Sequence, residues 1–432
     1  MGTILKNGKL LVNGEIVALD ILVAGNKIVK IAPQIEGADY KIVDVSGKLV
    51  TPGFIDMHVH LREPGFEAKE TIATGTASAA RGGFTTVACM PNTRPVIDTP
   101  ATVELILQKA KEEGSVRVLP MGAISVRELG KELTDMAALK EAGVVALSDD
   151  GVGVQSSKMM KDAMHIAVEL GLPIVAHCED DSLIEGGCVH EGVFSEKQGL
   201  KGIPSEAETI HIGRDIILAE ATGAHYHICH ISTADGVRLV RDAKQRGVKV
   251  TAEVCPHHLI LCDEDIPGDD ANYKMNPPLR SQRDRDALVA GLKDGTIDMV
   301  VTDHAPHTAE EKQRGMALAP FGIVGLETAF PLMYTKFVKT GAFTLQEVVD
   351  RMTKVPADVF NLPYGTIEEG AIADITVIDL ETEKEVDPQT FASKGHNTPF
   401  TGWKLAGWPV LTMVDGVIAW QADDLNGKGE VH

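Results

Sequence analysis

The sequence predicts an α/β chain: a closed parallel (β/α)8 barrel flanked by one β-module that both ends of the chain build. Three observations predict it. Eight apolar segments alternate with amphipathic ones between residues 53 and 364, and turn-linked strand patterns are confined to the two ends. Imidazoles and carboxylates also recur at the C-terminal ends of five of the eight segments, the rim on which parallel barrels carry their sites.

The first part, 1–52, reads as short strands. KNGK, VNGE and AGNK carry hairpin-turn chemistry, with ALDILVA and NKIVKIA as alternating runs between them. From Gly53 the pattern changes. The barrel strands are FIDMHVH (54–60), FTTVACMP (84–91), VRVLPMGA (116–123), VVALSDD (144–150), PIVAHCED (173–180), HYHICHIS (225–232), VKVTAEVC (248–255) and MVVTDHAP (299–306). Amphipathic stretches such as TVELILQKAKEEG, SKMMKDAMHIAVELG and AETIHIGRDIILAEATG lie between them, each closed by a glycine that can stop a helix. No GxGxxG follows the first strand, which counts against a doubly wound nucleotide-binding sheet. After residue 364 the pattern reverts to strands, AIADITVIDL and WPVLTMVDGVIAW, with a turn at Asp415-Gly416. The expected division is therefore 1–52, 53–364 and 365–432, the outer two forming one module.

Composition narrows the function. The 432 residues are 44% hydrophobic with a net charge of −21 and no basic stripe, which argues against nucleic acid as a partner. No apolar run approaches the ~18 residues of a membrane span, and the opening MGTILKNGKLLVNGE does not read as a signal peptide. The six cysteines (89, 178, 188, 229, 255 and 262) form no CxxC pair. Reduced, buried thiols in a cytoplasmic protein are expected.

The polar residues carry the chemistry. In a strand, Asp56, His58 and His60 share one face while Ile55, Met57 and Val59 share the other. Asp149 and Asp150 end the fourth strand, His177 lies late in the fifth, His230 late in the sixth and Asp303 late in the eighth. Four histidines with one or two carboxylates are the donor set for borderline first-row metals, zinc above all. One tetrahedral zinc needs fewer ligands; two metals bridged by a carboxylate would use them all. Strand parity leaves Asp149 and Asp150 as alternatives. His225 and His227 share a face opposite to His230 and read as structural, and His257 and His258 stay unassigned. Arg62 can fork onto a carboxylate. Asn92, Asn276 and His307 add polar groups, and the stretch 307–322 has the character of a loop able to close over a site.

The motifs GFIDMHVHLREPG, GGFTTVACMPNTRP, SDDG, VAHCED, ICHIS, KMNPPLR and TDHAPH occur in this order along essentially the whole chain. In them the sequence resembles the bacterial type I dihydroorotases of the amidohydrolase superfamily. The resemblance implies a distorted TIM-like barrel, a small β-sandwich from both termini, and two zinc ions. His58, His60 and Asp303 would hold one zinc, His177 and His230 the other, with Asp150 bridging. Many superfamily members bridge their metals with a carboxylated lysine; SDDG has none, as in the type I enzymes. Arg62, Asn92, Asn276, His307 and the Phe321-Gly322 backbone, with His60, would contact substrate. The implied reaction is reversible hydrolysis of dihydroorotate to N-carbamoyl-L-aspartate in pyrimidine biosynthesis. Water activated by zinc would be the nucleophile and Asp303 the general base, then acid. A homodimer and association with aspartate transcarbamoylase, as in some type I relatives, complete the partner expectations.

Overall fold

The computed structural model describes residues 2–12, 14–37, 39–423 and 425. The fold is α/β, and both ends of the chain meet in one sheet. Its strand order is Val417–Gln421, Trp408–Val414, Ile375–Asp379, Leu49–Pro52, Thr3–Val12, Glu15–Ala24, Lys27–Ala32, with Lys41–Asp44 branching from Thr3–Val12. The join is antiparallel, with Val377 opposite Val50. Leu5, Ile21, Ile28, Val50, Val377 and Met413 bury their side chains in a common core.

Two of the three expected N-terminal turns connect strands, with Gly14 at φ 84° and Gly25 at φ 61°. Asn13, the other central residue of VNGE, lies outside the described residues. KNGK is different: it lies inside the strand Thr3–Val12 as a bulge, where the register with Glu15–Ala24 shifts between Leu5 and Gly8. Asn7 takes φ 60° there. Its backbone N–H donates to Asp20 at 2.8 Å and its side-chain amide to Asp44 at 3.1 Å, so remote carboxylates hold the conformation that a turn would otherwise supply. The turn at Asp415-Gly416 forms as expected between Trp408–Val414 and Val417–Gln421.

All eight expected middle strands are present, but shorter. One parallel sheet runs Met299–Val300, Val250–Val254, Tyr226–Ile228, Ile174–Ala176, Leu147–Ser148, Gly122–Ala123. A second runs Phe54–Val59, Phe84–Cys89, Arg117–Pro120. The third expected strand is therefore split at Met121, its halves pairing in different sheets. Met121 N donates to the Cys89 carbonyl and Gly122 N to that of Ala146. At the other seam Val59 bridges His304 in parallel, and His60 N donates to the His304 carbonyl at 2.8 Å. Ile55, Met57, Met90, Val175, Cys229, Cys255, Met299 and Val301, drawn from both sheets, form one apolar cluster.

The helices Pro100–Glu113, Ser157–Leu170 and Ser205–Thr222 fall where periodicity puts them, the last two stopped by Gly171 and Gly223 with positive φ. No helix among the described residues is long and apolar enough to cross a membrane.

Arg117 ties the parallel strands to the terminal sheet. Its guanidinium pairs with Asp374 and Asp415, each at 2.7 Å, and lies 3.9 Å from the Tyr364 ring centroid. Arg117→Met should cost about 2–3 kcal/mol in urea unfolding, because the buried Asp374 loses its cation. A loss under about 0.5 kcal/mol would mean that this junction carries no stability.

Candidate metal centre and substrate cavity

Apart from His58, which lies within Phe54–Val59, the polar residues of the cluster follow the ends of the regular strands. His230 has φ 28°, Asp303 φ 48° and Arg62 φ 61°, values that end a ladder and that side chains other than glycine seldom adopt. The bends bring the groups together. Asp150 Oδ1 lies 3.5 Å from His58 Nε2, 3.8 Å from His177 Nδ1 and 3.9 Å from His230 Nε2, and its Oδ2 is 3.6 Å from His60 Nε2. Asp303 Oδ1 is 3.0 Å from His60 Nε2 and 3.4 Å from His58 Nε2. All six side chains are buried.

Asp150, not Asp149, faces this cluster. Asp149 accepts from the backbone N–H groups of Ile124 and Ser125 and from the Ser125 hydroxyl, which makes it a loop-holding residue.

Three of the four imidazoles are aimed by what the far nitrogen does; His230 Nδ1 has no hydrogen-bond partner among the described residues. His58 Nδ1 lies 2.6 Å from Glu253, His60 Nδ1 donates to the Asn92 side-chain carbonyl at 3.0 Å, and His177 Nε2 lies 2.9 Å from Glu179. These contacts fix the proton outward and turn the other lone pair inward, as carboxylates and carbonyls do behind metal-binding histidines. His58 Nε2 and Asp150 Oδ1 are buried without a hydrogen-bond partner among the described residues. Convergent imidazole and carboxylate donors with orphaned atoms at their centre fit a metal ion.

Beside the cluster lies a cavity of about 330 Å³, lined by His60, Arg62, Asn92, Asn276, Phe321 and Gly322 among others. His307 is not among its walls. It stands behind them, its Nε2–H donating to the Phe321 carbonyl at 2.7 Å and its Nδ1 accepting from Lys69 at 3.2 Å. Arg62 donates through Nε to the Pro306 carbonyl at 3.2 Å. In the stretch 307–322, Ala309–Lys312 and Gly315–Leu318 are short helices. Lys312 Nζ donates to the carbonyls of Lys274, Pro320 and Gly322, which holds Pro320–Gly322 against the cavity.

The Dihydro-orotase-like family model matches residues 47–236. A dihydroorotase of Brevibacillus brevis is 62% identical over 98% of this chain and 100% of its own length. One of Halalkalibacterium halodurans is 60% identical over 98% of this chain and 100% of its own. The chain belongs to the dihydroorotase family. An L-hydantoinase structure from Arthrobacter aurescens superimposes on this family member with a TM-score of 0.86 at 28% identity, over 96% of this chain and 95% of that one.

The electrostatics of this dihydroorotase-family site follow from burial and pairing. Burial lifts the Asp150 carboxyl, but His58, His60 and His177 outweigh it and hold it well below the usual range. Burial lowers His58, yet the charges of Glu253 and Asp150 raise it well above an ordinary imidazole. Burial, then His177 and His58, hold His230 far down. The cluster thus demands positive charge at its centre, which a cation supplies while releasing protons. Burial draws Arg62 down to about 10, leaving it a cation at neutral pH. Burial, then Arg62 and Lys69, push His307 down to about 2, so it is neutral.

Like Glu179, Glu253 is a site residue that no sequence motif singles out. Buried in the strand Val250–Val254, it bridges His58 and His227, the latter at 3.0 Å. Its signal was a lone acid inside an apolar strand. Despite its burial, the two histidines hold it at about 2, ionised. His225 and His227 both lie beside Thr251 Oγ1 at 2.8 Å; neither lines the cavity.

Proposed function

We propose that this chain hydrolyses the cyclic amide of dihydroorotate to N-carbamoyl-L-aspartate, and closes it in reverse, for pyrimidine biosynthesis. The observation that carries the reading is a guanidinium and two carboxamides, Arg62, Asn92 and Asn276, in one cavity wall with the His/Asp cluster. A planar anionic amide asks for those partners: a fork for its carboxylate and paired donors and acceptors for its ring. Among the described residues Arg62 has no carboxylate partner within hydrogen-bond distance, only the Pro306 carbonyl and His307, so its charge is available to a ligand.

Two zinc ions are the metals that suit the cluster, with His58, His60 and Asp303 for one, His177 and His230 for the other, and Asp150 between. When bound, such ions polarise a carbonyl and lower the pKa of water toward neutrality. The chain does the rest. Arg62 and the two asparagines orient the ring, and Phe321 and Gly322 close one side of the cavity. Asp303 takes the proton of the attacking water and returns it to the ring nitrogen as the C–N bond breaks. Asn92 also holds His60 by its Nδ1, so it serves ligand and substrate alike.

The architecture we infer is a single distorted barrel over 53–364, supported by the hydrogen bonds at both seams between the parallel sheets. A β-sandwich would come from 1–52 and 365–432. Six free, buried cysteines suit a reducing, cytoplasmic setting.

The test is ring opening of dihydroorotate by the zinc-loaded protein, followed by ultraviolet absorbance. Arg62→Met should raise KM about 10- to 100-fold, the worth of a charge-assisted pair, with zinc content unchanged. An unaltered KM would point to another cyclic amide as substrate.

A further inference from the structure

We propose that Cys255, His257 and His258 form another metal site, distinct from the His58–Asp303 cluster and suited to a soft monovalent cation, copper(I). The three residues offer ligand atoms within 4.8 Å of one another, and they are 0%, 2% and 2% exposed. Two imidazole nitrogens among them, His257 Nε2 and His258 Nδ1, have no hydrogen-bond partner among the described residues. The second of these has a visible cause. His258 Nε2 donates to the Pro277 carbonyl at 2.8 Å, which fixes the proton there and leaves Nδ1 with a bare lone pair. That is how a carbonyl prepares a histidine to ligate a metal.

Local chain geometry brings the triad together. Cys255 follows the strand Val250–Val254 and caps the short helix Pro256–Ile260, whose first turn carries both histidines. The two rings lie 4.3 Å apart by centroid at 54°. Cys255 belongs to one apolar cluster with Met57, Cys229 and Val301. Burial holds both imidazoles neutral. Two adjacent core histidines are an ordinary way to fill space, but core histidines ordinarily satisfy both nitrogens. Here each has one that is orphaned.

Charge selects the ion. The triad supplies one anion, the thiolate. A divalent ion would leave net positive charge in a nearly dry site, next to a cluster proposed to hold two more divalent ions. A monovalent ion leaves the site neutral, and a thiolate with two imidazoles suits the soft d10 ion copper(I). As the copper–sulfur bond forms, the Cys255 thiol proton is released to solvent.

The test adds one equivalent of copper(I), without oxygen, to the zinc-loaded protein and removes loose metal by desalting. Metal analysis should find copper retained with no loss of zinc. Copper K-edge absorption should report sulfur together with imidazole nitrogen. In competition with a chromophoric copper(I) chelator, Cys255→Ser and His257→Asn should weaken binding about a hundredfold or more, and Cys229→Ser should not. Cys229 is the control because its thiol lies in the same apolar cluster. Circular dichroism checks that each variant folds. Copper that displaces zinc, or that binds Cys255→Ser as tightly as the parent chain, overturns the proposal. A retained third zinc in place of copper overturns it too.

Discussion

Asp303→Asn should lower kcat for dihydroorotate ring opening by about 10²- to 10⁴-fold, the usual worth of a positioned acid–base group. The carboxyl is held by a bent backbone, φ 48°, with Oδ1 3.0 Å from His60 Nε2. It also lines the cavity in which Arg62 and the asparagines would hold the ring. Asparagine keeps the shape and one oxygen but cannot take a proton. The loss should therefore fall on kcat per bound zinc, with KM little changed. A loss under about tenfold, or one confined to KM, would remove Asp303 from proton transfer.

Asp150→Ala should weaken metal binding at least about 100-fold, and activity should follow occupancy. The reason is geometric: its two oxygens lie 3.5–3.9 Å from the inward nitrogens of all four histidines, so this one side chain ties the two halves of the cluster. Removal also takes away the carboxylate beside the inward nitrogens of His177 and His230. Glu253→Gln offers a graded comparison, read by the same chelator competition. It keeps the contact to His58 but loses the charge, and about 10- to 100-fold is expected. If Asp150→Ala binds metal as well as Glu253→Gln, the bridging role fails.

Much of this site is legible in the sequence because it depends on where strands end. Alternation of apolar and amphipathic stretches locates all eight middle strands, and polar residues at their C-terminal ends fall on one rim. What parity cannot resolve is the last two residues of each strand. The ladder at Leu147–Ser148 is only two residues long, so Asp149 and Asp150 are placed by loop hydrogen bonds rather than by alternation. Glu253 escapes notice because its partners, His58 and His227, come from other strands. His307 sits near the site in sequence, but its neutral ring is spent on Phe321 and Lys69. The KNGK motif reads as a turn because the carboxylates that make it a bulge are far along the chain.

The sheet shared by both ends of the chain has a consequence for the order of synthesis. The strands Thr3–Val12 and Glu15–Ala24 leave the ribosome early and can pair at once as a hairpin. Their sheet, however, continues through Leu49–Pro52 into Ile375–Asp379, which emerges more than 300 residues later. During that interval the edge of Leu49–Pro52 that will receive Ile375–Asp379 has unpaired backbone groups, a template for pairing with other chains. A nascent chain stalled before residue 375 should therefore depend on chaperones more than the finished one.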